Sequence, residues 1–289
     1  MKAVIPVAGL GTRLLPATKA MPKEMITVVD KPVIQYVVEE AVGAGVEHLL
    51  MITGRNKTAI ENHFDRMVEM ENTLLSKGDI EKLSRVTEVS ELADIHYVRQ
   101  GDPKGLGHAV SKAEAFVGDA PFALLLGDVI MEHGALLKTM MTLANEHNAN
   151  VIALAEVPIE TVGAFGVAEI SPSAGTSFFN ITRLVEKPSP SEAPSNLVVI
   201  GRYVLQPGVF KALSSLTEGV GGEIQLTDAL NAMAQNPEIA GPVLGIVFSG
   251  EYFDTGDRLA YLKSTVQLAL KREELREEFG SWLADFIES

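Results

Sequence analysis

The sequence predicts an α/β fold: a mixed, mostly parallel sheet with helices on both faces, a smaller β-rich excursion, and C-terminal helices. Three observations predict it. Short apolar runs alternate with helical segments through the first half. Between residues 150 and 205, β-like runs follow one another with no long helix between them. Residues 257–289 then carry helical periodicity to the end of the chain.

In order along the chain, KAVIPV (2–7), HLLMIT (48–53), DIHYVR (94–99) and FALLL (122–126) read as strands. Residues 33–44, 57–85 and 107–117 between them read as helices. Strands separated by helices give a Rossmann-like, largely parallel sheet with helices on both faces. Pro6 is a misfit, because proline removes a ladder hydrogen bond, and it is tolerated where a strand ends. Residues 150–157, 163–170, 178–186 and 197–205 are the short runs of the excursion, antiparallel or mixed and joined to the sheet. Residues 223–235 return to helix, 242–254 carry a last strand or two, and 257–289 read as helix with room for a break near Arg272. PSPSEAP (188–194) is short enough for a surface loop. The expectation is one domain over 1–289, with a first half (1–149), a second half (150–256) and a C-terminal helical segment (257–289).

Composition narrows the function. Hydrophobic residues make up 46% of the 289 and charged residues 21%, enough apolar material for a substantial core. With 24 basic and 38 acidic side chains the net charge is −14. Such a chain is a poor fit to nucleic acid or to an anionic membrane surface, so neither is expected as a partner. The absence of cysteine excludes disulfides, thiolate metal sites and cysteine nucleophiles. MKAVIPVAGLG lacks the h-region and cleavage site of a secretory signal, and no run of about 18 apolar residues occurs, so a cytoplasmic location is expected.

Open α/β sheets bind ligands beyond the carboxyl ends of their strands, which directs attention to the segments after them. VAGLGTRLLPATKAMPKEM (7–25) follows the first strand. Gly9 and Gly11 let backbone amides approach an anion, and Arg13, Lys19 and Lys23 concentrate positive charge in an acidic chain. Leu14 stands where the dinucleotide fingerprint needs its third glycine, and GRNK (54–57) offers no ribose-binding acid. An ATPase P-loop needs Gly-Lys-Ser/Thr starting five residues after its first glycine, and Leu14 and Leu15 stand there instead. A third kind of phosphate loop is indicated. Asp128 follows an apolar strand and a glycine, a suitable place for a hard-oxygen magnesium ligand, although a turn or helix-capping aspartate reads the same way.

The segment G-x-G-T-R-L-x-P-x-T-x-x-x-P-K resembles the signature loop of the sugar nucleotidyltransferases, and PKEM resembles their uridylyltransferase branch. The resemblance continues through QGDPKGLGHAV (100–110), LLLGDVI (124–130), GAFGV (163–167), LVEKPSPSEAPSNLVVIGRYVL (184–205), GGEIQLTDAL (221–230) and YFDTGDRLAYL (252–262), covering nearly the whole chain in order. It implies transfer of UMP from UTP to glucose 1-phosphate, with Mg2+ as cofactor and a homodimer or homotetramer as the assembly. It further implies roles for particular residues. Arg13 and Lys23 would clamp the triphosphate. Ala8, Gly9, Gly11 and Thr12 would cradle the nucleotide, Gln100 and Gly105 would meet the base, and Glu24 the uridine portion. Gly166, Glu186, Lys187 and Val199 would hold the sugar, with Lys187 on its phosphate and Glu223 and Gln225 nearby. Asp128 and Asp254 would hold the metal, and Asp254 has helix capping as its alternative, in competition with Asp257.

Three other readings stand beside this one. Thymidylyl transfer differs by room for a methyl. A weakly catalytic regulatory relative would be marked by loss of Arg13, Lys23, Asp128 or Lys187, all of which are present. A nicotinamide-dependent oxidoreductase is opposed by the missing glycine and acid. In the C-terminal segment Leu275, Phe279, Trp282, Leu283, Phe286 and Ile287 share a helical face, suited either to packing on their own domain or to self-association.

Overall fold

The computed structural model describes residues 1–131, 134–172 and 177–289. β1 (Lys2–Pro6) is followed by a long loop, by a small hairpin of β2 (Thr27–Val28) and β3 (Lys31–Pro32), and by α1 (Val33–Gly43). β4 (His48–Thr53) leads to α2 (Thr58–Phe64), α3 (Val68–Ser76) and α4 (Ile80–Ser90), then β5 (Asp94–Arg99). α5 (Leu106–Ser111) and α6 (Glu114–Val117) precede β6 (Phe122–Leu125), β7 (Val129–Met131) and α7 (Ala135–His147). The second half runs β8 (Asn150–Glu156), β9 (Gly166–Pro172), β10 (Phe179–Glu186), β11 (Leu197–Leu205), α8 (Gly208–Ser214) and α9 (Leu226–Gln235). β12 (Val243–Val247), β13 (Tyr252–Asp254), α10 (Arg258–Lys271) and α11 (Glu273–Glu288) complete the chain.

One nine-stranded sheet, ordered β5-β4-β1-β6-β11-β8-β12-β10-β9, organises the molecule. β5, β4, β1 and β6 are mutually parallel, and β11 and β10 run against their neighbours. The period of two along each strand sorts its side chains between the two faces. Ala3, Ile5, Leu49, Met51, Ala123 and Leu125 join one core cluster with α1 and α7. Val4, Leu50, Ile52, Phe122 and Leu124 join the other with α5, α8 and α9. Burial on both faces explains why these strands read as unbroken apolar runs. Pro6 sits at the last position of β1, opposite Ile52.

Several elements depart from the expectation. The single helix expected over 57–85 is three helices. Gly78, at φ 68°, ends α3, and the Asp79 carboxylate then accepts from Lys82 N at 3.2 Å to start α4. The stretch 107–117 breaks into α5 and α6. α7 and α8 were not expected, although Leu136, Leu137, Met140 and Ala144 bury one face of α7 at helical spacing. The break at Arg272 falls where the sequence allows it, between α10 and α11. Among the described residues no helix is long and apolar enough to cross a membrane.

From β1 the chain proceeds to β4 and β5 on one side, then returns to β6 on the other side of β1. The carboxyl ends of β1 and β6 therefore flank a topological switch point, where open sheets leave a crevice for ligands.

Candidate active site

The loop leaving β1 crosses this crevice without entering a helix. Val7 N continues the ladder to Ile52 O at 2.9 Å. Ala8 then packs so closely on Gly54 that a Cβ there would lie 3.0 Å from Ala8 O. Gly11 adopts φ 67°, and its carbonyl accepts from Thr18 Oγ1 at 2.7 Å. A side chain at Gly11 would meet Lys23 Cβ and Thr18 Cγ2 at 3.1 Å, so the loop closes on itself only around glycine. Three 3-10 turns follow, at Thr12–Leu14, Ala17–Lys19 and Lys23–Met25. Leu14 is buried and anchors the loop, while Gly9, Thr12 and Arg13 stay exposed above it.

The last of these turns brings Lys23 onto the β6–β7 connection. Its Nζ lies 2.5 Å from Asp128 Oδ2, and each side chain is 21% exposed. Burial alone would push the Asp128 carboxyl up, but the Lys23 ammonium, its hydrogen bond and the Arg13 charge hold it below the usual range. Burial likewise opposes the Lys23 charge, yet Asp128, Glu24 and Asp254 together raise its pKa. Asp254 enters from β13, which pairs antiparallel with β7 so that Asp254 faces Val129. Thr255 donates to Asp128 O through both N (2.9 Å) and Oγ1 (2.7 Å), fastening the two segments together. A Cβ at Gly256 would lie 2.9 Å from Asp254 Oδ1 and 3.2 Å from Asp128 Oδ2, so both carboxylates converge on one small space. Burial, followed by repulsion from Asp128 and Asp257, pushes the Asp254 carboxyl up, against the Gly256 N–H that it accepts at 2.7 Å. Asp257, not Asp254, caps α10, accepting from Leu259 N and Ala260 N. Two convergent carboxylates, partly neutralised by Lys23, form a hard-oxygen donor set that fits a small divalent cation.

Two buried ion pairs, neither anticipated, brace this centre. Arg202, wholly buried, grips Glu40 through Nε (3.0 Å) and Nη2 (2.6 Å). The same guanidinium donates to Leu126 O, Gly201 O and Val129 O, holding the connection that carries Asp128 from both ends. Lys57, also buried, lies 2.8 Å from Glu24. The Glu24 carboxylate, expected to meet uridine, is thus shut in and engaged with Lys57, because it follows Lys23 into the turn that points at the core.

At the end of β5, Gln100 Nε2 donates to Gly105 O at 3.0 Å and lies 3.2 Å from His108 Nδ1. Gln100, placed at the base by the resemblance, thus has its amide donors engaged within the protein. Gly105 has φ 99°, and a Cβ there would meet Glu223 Cβ at 2.7 Å and Ile224 O at 2.8 Å. The residue is therefore glycine because the 223–225 segment crosses it, anchored by Ile224 N to Lys104 O and Gly107 N to Ile224 O. Gln225, not Glu223, stands at the N-cap of α9, and Glu223 accepts from Gln225 Nε2 at 3.1 Å.

The remaining expected residues gather where β9, β10 and β11 meet. Glu186 pairs with Gly166, and Glu186 Oε2 accepts from Thr227 Oγ1 at 2.6 Å. A Cβ at Gly166 would lie 3.0 Å from that hydroxyl and 3.4 Å from Glu186 Oε2. Lys187 follows with φ 47°, a left-handed conformation uncommon for a residue with a side chain and typical of functional sites. Its Nζ lies 3.3 Å from Glu186 Oε1 and stays partly exposed. Val198 opposite Val167 sets Val199 alongside Gly166. The structure thus brings the expected residues into three groups, with Thr227, His108, Lys57 and Arg202 as additions.

Residues 2–271 match the profile of the nucleotidyl transferase family. The chain is 47% identical to the UTP–glucose-1-phosphate uridylyltransferase YngB of Bacillus subtilis strain 168, over 99% of this chain and 95% of the relative. It resembles a UTP-bound UGPase of Acinetobacter baumannii with TM-score 0.88 and 40% identity, covering 98% of each chain. It resembles a UDP-glucose pyrophosphorylase complexed with UDP-glucose with TM-score 0.81 and 39% identity, covering 94% of this chain and 99% of the other.

Proposed function

The chain belongs to the nucleotidyl transferase family, and we infer that it transfers UMP from UTP to glucose 1-phosphate, giving UDP-glucose and pyrophosphate. The observation that carries the mechanism is the Lys23–Asp128 pair at the switch point, with Asp254 beside it and Arg13 exposed above. Nucleotidyl transfer needs no general base. A phosphate monoester has its second pKa near ~6 and is mostly dianionic at neutral pH. The obstacle is repulsion between two anions, so the chain must supply cations and alignment. Arg13 offers a planar fork to the triphosphate oxygens, and the amides of Ala8 to Thr12 cradle them. Lys23 neutralises charge as pyrophosphate departs. Asp128 and Asp254 would hold a magnesium ion, which when bound would supply neutralisation of the charge that develops on the phosphates.

Gln100 meets the uracil edge, and Gly166, Glu186 and Val199 meet the sugar. Thr227 holds one Glu186 oxygen and leaves the other beside Lys187, which takes the sugar phosphate. Residues 1–149 serve the nucleotide and 150–256 the sugar. Lys187→Ala is expected to raise the KM for glucose 1-phosphate about 10–100-fold, the effect of one charge-assisted hydrogen bond. The Kd for UTP by calorimetry should move little. Loss of UTP binding with sugar-phosphate binding intact would exchange the roles of Lys187 and Arg13.

Residues 257–289 serve self-association. Phe279, Trp282 and Phe286 stack in a row along α11, with Trp282 55% and Phe286 65% exposed, which favours a partner over packing on the same chain. Light scattering at micromolar concentration should give a dimer or tetramer, and a monomeric mass would refute it.

A further inference from the structure

Gln100 is almost buried, with 6% of its surface exposed, and its amide nitrogen has two hydrogens to place. One goes to Gly105 O, which can only accept, so reversing the amide would set two carbonyl oxygens against each other. The other meets His108 Nδ1 at 3.2 Å. A ring nitrogen that receives an amide hydrogen carries none of its own, so His108 is neutral with its proton on Nε2. Both Gln100 donors are then engaged inside the protein. Gln100 Oε1 accepts no hydrogen bond among the described residues. Tyr97 Oη is the one buried side-chain N or O atom among them without a partner, which leaves Gln100 Oε1 accessible to a ligand.

We propose that His108 is a specificity-determining positioning residue, which holds the Gln100 amide so that Oε1 alone meets the base. An acceptor there pairs with the N3–H of uracil or thymine and repels cytosine, whose N3 is itself an acceptor. The inference rests on uridylyl transfer and on Gln100 as the group that meets the base. It also explains why an amide, able to present either end, discriminates at all: Gly105 O and the His108 ring on α5 each take one amide hydrogen and together fix which end is presented. The charges around the ring keep it in the required state. Burial, then Lys112 and Lys104, hold His108 below the usual imidazole range, against a hydrogen bond to the Asp102 backbone and the Asp102 charge. Glu223 stands across Gly105 on the crossing segment.

The test is a comparison of kcat/KM for UTP, dTTP and CTP in the intact protein, His108→Leu and His108→Asn. Leucine fills space but accepts nothing. Asparagine can present an oxygen where Nδ1 stands. His108→Leu should lower the UTP-over-CTP ratio about tenfold or more, chiefly through the KM for UTP, while His108→Asn keeps most of it. A wild-type ratio in folded His108→Leu would overturn the proposal. Should that variant not fold, long-range 1H–15N spectra of the wild type read the tautomer directly. A proton on Nε2 at neutral pH supports the assignment, and one on Nδ1 refutes it. A wild type that makes no UDP-glucose would instead count against uridylyl transfer, and the tautomer would still decide the role of His108.

Discussion

Asp128→Asn is expected to cut turnover by about two to three orders of magnitude while leaving the fold intact. Asparagine keeps the size of the side chain and can still accept from Lys23, but it removes the charge. Lys23 retains Glu24 and Asp254 as neighbouring carboxylates, so it is not left as an isolated buried cation. The backbone bonds from Thr255 to Asp128 O do not depend on the side chain. The loss should therefore appear in kcat, with the melting temperature changed by only a few degrees. EDTA should abolish turnover in the wild type and magnesium restore it. Asp254→Asn should cost less, because one Asp254 oxygen is already engaged by Gly256 N. Near-normal, metal-dependent turnover in Asp128→Asn would place the metal elsewhere.

Arg202→Met carries the largest expected effect on stability. It strands Glu40, 5% exposed, without its counter-ion, and frees the carbonyls of Leu126, Gly201 and Val129. Removing one partner of a buried pair typically costs about 3–5 kcal/mol. For a chain of this size that corresponds to a fall in melting temperature of roughly 6–10 °C. The double variant Arg202→Met with Glu40→Leu should regain much of the stability, since no lone charge remains. It should not regain full activity, because the connection bearing Asp128 has still lost its backbone anchors. A single variant as stable as the wild type would show that Arg202 does not brace the site.

Much of this site lies in short segments, and those were legible in the sequence. The loop from Ala8 to Lys23 is contiguous, and Asp128 directly follows a strand whose apolar run marks it. Glu186 and Lys187 end a strand in the same way. The long-range pairs were not legible: Glu40 and Arg202 are 162 positions apart, and no local pattern links them. A trace did exist, since an arginine inside the apolar run LVVIGRYVL requires a partner. Lys57 appeared only as a missing ribose-binding acid, and its pairing with Glu24 needed the fold. Gly105 suggested room for a base, whereas the crossing of Ile224, supplied from the second half, is what requires glycine. The Gly78–Asp79 stop inside the supposed helix over 57–85 was a local signal outweighed by the apolar periodicity around it.

The most direct test is pyrophosphate release over a matrix of UTP, dTTP, CTP, ATP and GTP against several hexose 1-phosphates. UTP with glucose 1-phosphate should give the highest kcat/KM, with UDP-glucose as the product. dTTP should be used less well, by no more than the 10–200-fold or so that one methyl can impose. CTP and the purine nucleotides should be poor substrates, because Gln100 presents an acceptor and a purine needs a larger pocket. Turnover with ATP equal to that with UTP, or a clear preference for another sugar phosphate, would contradict the account.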